Sequence, residues 1–218
     1  MRRLAAFAAA LLVPAALAAD PSPKPETNPD EAAAAPVAIT FLSEELGVLL
    51  EGAGWVHDGT GRVPVYTVGF RSCPDCVAQK EGAYAKMAAA GADIRRIIYA
   101  RADSAEGKPR SKPGERAMVA ELWKTRDFAL YQRWFVTDPA TFYETETLPP
   151  DADSDPERAA LVQKSRAFMA TLNNILKVNG IETFVPAIFW QEDGDWYVYI
   201  GYNPETFDSL ILPRLAGA

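Results

Sequence analysis

Cysteine and histidine are nearly absent: 218 residues contain two cysteines, Cys73 and Cys76, and one histidine, His57. A closed structural zinc site wants about four ligands, so a zinc module is disfavoured. Positive charge is also in deficit. Lys and Arg number 22 against 29 Asp and Glu, a formal charge of -7. Such a surface repels phosphate backbones and argues against nucleic acid as a partner. Beyond the first nineteen residues no segment approaches the ~20 apolar residues of a spanning helix. No internal repeat is found.

The first nineteen residues differ from the rest. Arg2 and Arg3 make a basic start, Leu4 to Leu17 is apolar and alanine-rich, and Ala16-Leu17-Ala18 offers small residues for cleavage. This reads as a cleaved secretory signal peptide, 1–19, with an uncleaved anchor as the alternative. No cysteine near the cleavage point could carry a lipid, so a soluble, exported and periplasmic product is expected. Its formal charge would move from -7 to about -9 as Arg2 and Arg3 leave. Residues 20–36, rich in proline and alanine, cannot bury enough apolar surface to fold and read as a disordered tether. With 49% hydrophobic and 23% charged residues, the remaining chain has ordinary globular composition, and one domain, 37–218, is expected.

Ordered structure should begin at an apolar stretch near Val37, followed by a short helix, Ser43 to Leu50, that Ser43 could cap and Gly52 and Gly54 would end. Asp58-Gly59-Thr60-Gly61 is a turn signal, and Val63 to Phe70 is a β-branched and aromatic run of strand length. From Cys73 to Ala90 the residues are helix formers, with Val77, Tyr84, Met87 and Ala88 at helical spacing and Gly91 placed to stop the helix. Ile94 to Tyr99 reads as a second buried strand. Strand, helix, strand is a βαβ unit whose strands should be parallel. Arg101 to Gly114 reads as a loop, Glu115 to Phe135 as helical, and Pro156 to Asn179 as a further helix. Pro139, Pro149, Pro150 and Asp151 to Asp155 break the pattern between them. The region 104–179 is therefore expected to be a helical insertion. Phe184 to Trp190 and Trp196 to Tyr202 flank Glu192-Asp193-Gly194-Asp195, a hairpin turn, and Pro204 to Leu212 should be a closing helix.

Two cysteines in an exported chain are expected to meet an oxidising compartment. A structural disulfide usually closes a long loop, because the entropy removed from the unfolded chain grows with loop length. Cys73-Pro74-Asp75-Cys76 closes almost none, so chemistry explains the spacing better than a staple without turnover. A sulfur at a helix start faces unpaired backbone amides, which favour its thiolate and lower its pKa below ~8.5. Cys73 takes that place and is the expected attacking thiol; Cys76, three residues on, is the expected resolving thiol. Pro74 should stiffen the helix start. Asp75 puts negative charge beside the thiolate and raises its pKa, and Arg71 could offset that. A milder oxidant than enzymes with histidine in place of Asp75 is expected.

The second half of the signal is Val185-Pro186, where a central strand should not tolerate proline. A cis bond there would face the CxxC and leave the Val185 backbone free to pair with a substrate peptide. The alternative is a proline that merely starts a strand.

Gly54-Trp55-Val56 with Asp58-Gly59, Val65-Tyr66-Thr67-Val68, Cys73-Pro74-Asp75-Cys76, and Gly180-Ile181 through Val185-Pro186-Ala187-Ile188 resemble the catalytic domain of DsbC/DsbG-type periplasmic disulfide isomerases. The resemblance spans Leu49 to Leu212. It implies an α/β chain of thioredoxin-like fold, with a helical insertion between the CxxC βαβ half and the cis-proline hairpin half. It also implies that Cys73 is the nucleophile, Cys76 the resolving cysteine and Pro186 the cis-proline. The expected partners are cysteine-containing exported proteins and a membrane redox partner of DsbD or DsbB type; no cofactor is expected. Three departures stand out. Gly69-Phe70-Arg71 lacks the family's aspartate before the first cysteine, Val185 replaces a common threonine as in DsbA-type oxidases, and Val37 to Gly54 is too short for the family's dimerisation domain. A monomeric oxidoreductase is therefore expected rather than a true isomerase.

Other residues invite competing readings. His57 with Cys73 would suggest a cysteine hydrolase, although a histidine beside a turn is more simply a surface one. Trp123, Trp134, Trp190 and Trp196 could line a peptide groove but read as core. Asp151 to Asp155 lacks the glycine and glutamate spacing of a calcium loop. Two functional alternatives remain: a binding module that holds unfolded chains or thiol proteins without turnover, and a reductase dedicated to one client.

Overall fold

The computed structural model describes residues 35–217. The segment expected to be a signal peptide and nearly all of the expected tether lie outside the described residues. Five strands form one sheet: β1 (Val37–Ile39), β2 (Val63–Gly69), β3 (Ala92–Ile98), β4 (Ala187–Glu192) and β5 (Asp195–Ile200), in the order β1-β5-β4-β2-β3. β2 and β3 run parallel, and every other pairing is antiparallel. Around them lie α1 (Ser43–Glu51), α2 (Pro74–Ala89), α3 (Pro113–Thr125), α4 (Phe128–Val136), α5 (Pro139–Thr145), α6 (Pro156–Val178), α7 (Pro204–Thr206) and α8 (Leu212–Gly217).

Period-two alternation divides the sheet between two cores. On β2, Val65 belongs to one core and Tyr66 and Val68 to the other; on β4, Ile188 and Trp190 oppose Phe189. The smaller core is closed by Ala83 and Met87 of α2 and by Phe207, Ile211 and Leu215 at the C-terminus. The larger takes in α1 and the helices α3 to α6, with Trp123, Trp134 and Trp196 among its buried side chains. All four tryptophans named in the sequence are therefore core.

The β4–β5 hairpin turns at Asp193 and Gly194, both at positive φ (54° and 91°), with Glu192 opposite Asp195. That is the two-residue geometry whose twist suits antiparallel strands. Gly91, at φ 90°, ends α2 and lets the chain return at once into β3.

Several local expectations need correction. Ser43 does not cap α1; Leu42 occupies the cap in a left-handed conformation, with no side-chain cap bond. The inward stripe of α2 is Cys76, Gln79, Ala83 and Met87, while Val77 is half-buried and Ala88 exposed. Turning Cys76 inward behind Cys73 fixes this phase. The helical stretch after Glu115 is two helices, since Arg126 adopts φ 57° and Asp127 caps α4 by accepting from the Leu130 N–H. Arg126 is held there by stacking over Trp55 at 4.1 Å and donating to the Ala53 carbonyl. Pro139 starts a short helix capped by Asp138. The closing helix passes through a π-helical turn, Phe207–Ile211, and continues to Gly217.

Candidate active site

β2 ends at Gly69, and four positions later the chain reaches Cys73, the N-cap of α2, with Pro74 at the first helical position. The Cys73 Sγ accepts the Cys76 backbone N–H at 3.2 Å. A helix start is where such donors lack intrahelical partners, so the sulfur is the cap. Both cysteines are free thiols, each 5% exposed, and Cys73 lines an open pocket of about 430 Å³.

The pair divides its acidity unequally. The Cys76 thiol's hydrogen bond to Cys73 is the largest influence on Cys73 and lowers its pKa; burial opposes it, the Cys76 N–H assists, and the Asp75 charge raises it. The balance lies below the ordinary thiol value. Cys76 is driven far above that value, first because it donates to Cys73, then by its own burial. One sulfur is thus poised to ionise and the other to keep its proton.

Opposite Cys73, the Val185–Pro186 peptide bond is cis. The Val185 carbonyl lies 3.7 Å from the Cys73 Sγ. The β2–β4 ladder begins only at Ala187, opposite Val68, so the Val185 backbone lies beyond the paired strands. Gly201 donates to the Pro186 carbonyl at 2.7 Å and ties this turn to the end of β5.

Arg71 is placed otherwise than as a counter-charge to Asp75. It is 8% exposed, donates to the Trp134 and Thr137 carbonyls at 3.0 Å each, and stacks over Phe135 at 5.3 Å. Its guanidinium is bound to the C-terminal end of α4, where helix carbonyls lack internal partners. Asp75 is exposed. His57 hydrogen-bonds Asp93 at 2.7 Å and packs against Trp55. Asp93 pairs with Pro64 near the start of β2, so His57 lies at the opposite end of the sheet from Cys73 and forms no dyad with it.

One residue at the site escaped the sequence reading. A Cβ on Gly69 would stand 2.8 Å from the Cys76 Sγ, so the last residue of β2 must be glycine for the buried sulfur to fit. Glycine in a strand signals close approach of another group, which was the available clue. Beyond it, Phe70 packs edge-on against Tyr99 and lies beneath Arg101 at 4.7 Å.

No protein-family model matches the sequence, and no curated protein matches it significantly. Among solved structures, a crystal structure of Proteus mirabilis ScsC in a transitional conformation is similar at 14% identity, covering 87% of this chain and 84% of that one, with a TM-score of 0.53. The catalytic domain of the same ScsC matches at 14% identity and TM-score 0.49, covering 80% of this chain and 97% of that one. A periplasmic thioredoxin-like protein from Salmonella enterica serovar Typhimurium matches at 12% identity and TM-score 0.48, covering 79% and 97%. The first likeness establishes the fold. The chain has a thioredoxin-like fold, with α3 to α6 inserted between the βαβ half and the hairpin half.

Proposed function

We propose that this chain is an exported thiol-disulfide oxidoreductase acting on cysteine-containing proteins through Cys73 and Cys76. The observation that carries the reading is the unequal pair: a helix-capping sulfur with a lowered pKa, and a proton-retaining sulfur that donates to it. The Cys73 thiolate attacks one sulfur of a client disulfide, forms a mixed disulfide and releases the other client sulfur as a thiolate. Cys76 then loses its proton to solvent or to the released thiolate, and its sulfur attacks Cys73. The Cys73–Cys76 disulfide forms and the client leaves with both sulfurs reduced, having received two electrons. In reverse, the oxidised pair transfers a disulfide to a client dithiol.

Val185 is assigned the client's backbone, in the manner of strand addition, because its carbonyl lies beside the sulfur and outside the sheet ladder. Pro186 shapes that turn, and Pro74 and Asp75 tune the thiolate. The signal-peptide features support a periplasmic location for the reaction, and a membrane protein of DsbD or DsbB type would renew the pair. The DsbC/DsbG-like motifs supply the narrower likeness, while Val185 favours a general oxidoreductase over a true isomerase.

Insulin reduction in the presence of dithiothreitol tests the reading. Wild type should accelerate precipitation, and Cys73→Ala should lose at least ~90% of that activity. Equal activity of the two would leave only a binding module.

A further inference from the structure

The pocket beside Cys73 carries a charge opposite to that of the molecule. The chain's formal charge is -7, yet Arg71, Arg101, Arg110 and Lys112 all line this cavity, with Glu115 as the single carboxylate. Glu115 is committed in part to the Lys112 backbone N–H, at 3.1 Å. Among the described residues none of the four cations forms an ion pair, whereas Arg95, Arg116, Arg158, Arg166 and Arg214 each do. Asp138, the cap of α5, acts on the Arg71 charge without pairing with it.

The basic wall is also fixed in place. The Arg101 guanidinium stacks on Phe70 and donates to the Arg110 carbonyl. The Arg101 backbone N–H donates to the Ser111 Oγ at 3.0 Å, and Arg116 donates to the Ser111 carbonyl. The Arg101 Nε is nonetheless buried with no hydrogen-bond partner. Leaving a charged donor unsatisfied is costly, so the guanidinium keeps donor capacity beyond its bond to the Arg110 carbonyl. Arg110 and Lys112 are exposed at the rim and would meet the ligand first.

Resting on the oxidoreductase reading, we propose that this pocket is a carboxylate subsite, and that the clients are polypeptides with Asp or Glu beside the reacting cysteine. The partner surface is the client's own acidic side chain, delivered as its sulfur reaches Cys73. Charge of one sign concentrated in a concave site steers an oppositely charged ligand and raises its association rate, an effect that falls with salt.

The test uses three disulfide probes with the reduced full-length chain. These are two peptides identical except for aspartates or lysines flanking the cysteine, and uncharged hydroxyethyl disulfide. At low ionic strength the aspartate peptide should react about tenfold faster than the lysine peptide, with the ratio falling towards one at ~1 M salt. The double variant Arg110→Glu/Lys112→Glu should invert the preference. Equal rates for both peptides, or a preference unchanged in the double variant, overturns the subsite. Failure of the uncharged probe to react at all would instead overturn the oxidoreductase reading, so the two failures are distinguishable.

Discussion

At the scale of single residues, the account rests on a proton shared unequally. Because the Cys76 thiol is the main influence lowering Cys73, Cys76→Ala should move the Cys73 titration back up towards ~8.5. Absorbance of the thiolate at 240 nm reads this directly; an unchanged midpoint would assign the effect to the backbone amides instead. Asp75→Asn removes the nearby negative charge, lowers the Cys73 pKa further and stabilises the reduced form. The pair then becomes more oxidising, by roughly 10 mV for so exposed a charge, measurable against a glutathione buffer. Gly69→Ala presses a methyl group onto the Cys76 sulfur. It should destabilise the fold by about 1–3 kcal/mol, seen in urea unfolding, and should slow resolution so that mixed disulfide accumulates on mass spectrometry. The two sulfurs were readable in the sequence because two cysteines and one spacing leave few interpretations. Gly69 was not, since its need lies in a contact between residues seven apart.

At the scale of elements, local signals were legible where backbone chemistry is strict. The βαβ order, the Asp193-Gly194 hairpin and the Gly91 stop all appear where turn residues and β-branched runs predict. The division of α3 from α4 was not legible, because Arg126 is an ordinary residue held at positive φ by Trp55 and Ala53, both remote in sequence. The phase of α2 is hidden in the sequence for a similar reason: its exposed Ala88 and half-buried Val77 are apolar, while its fully buried Gln79 is polar. The insertion is fastened to the sheet by equally nonlocal bonds. The Ser165 Oγ of α6, fully buried, accepts the Ala100 N–H just past β3. Ser165→Ala would leave that donor unsatisfied and should cost about 1–3 kcal/mol, lowering the urea midpoint. A cost near zero would show that the insertion docks by packing alone.

At the scale of the whole molecule, the sheet serves to bring two distant segments together. β2 delivers Cys73 to the start of α2, and 112 positions later the insertion's end delivers Val185 to within 3.7 Å of its sulfur. Antiparallel β2–β4 pairing sets the end of β2 beside the start of β4, so both segments meet at one end of the sheet. The loop from Arg101 to Lys112 then adds a basic wall that composition concealed, since the chain as a whole is acidic. The most direct test is alkylation of the reduced chain by iodoacetamide at pH 7, followed by peptide mapping. Cys73 should be modified faster than free cysteine while Cys76 stays unmodified. If Cys73 reacts no faster than free cysteine, or Cys76 reacts as readily, no ionised and reachable sulfur caps the helix and the account is contradicted.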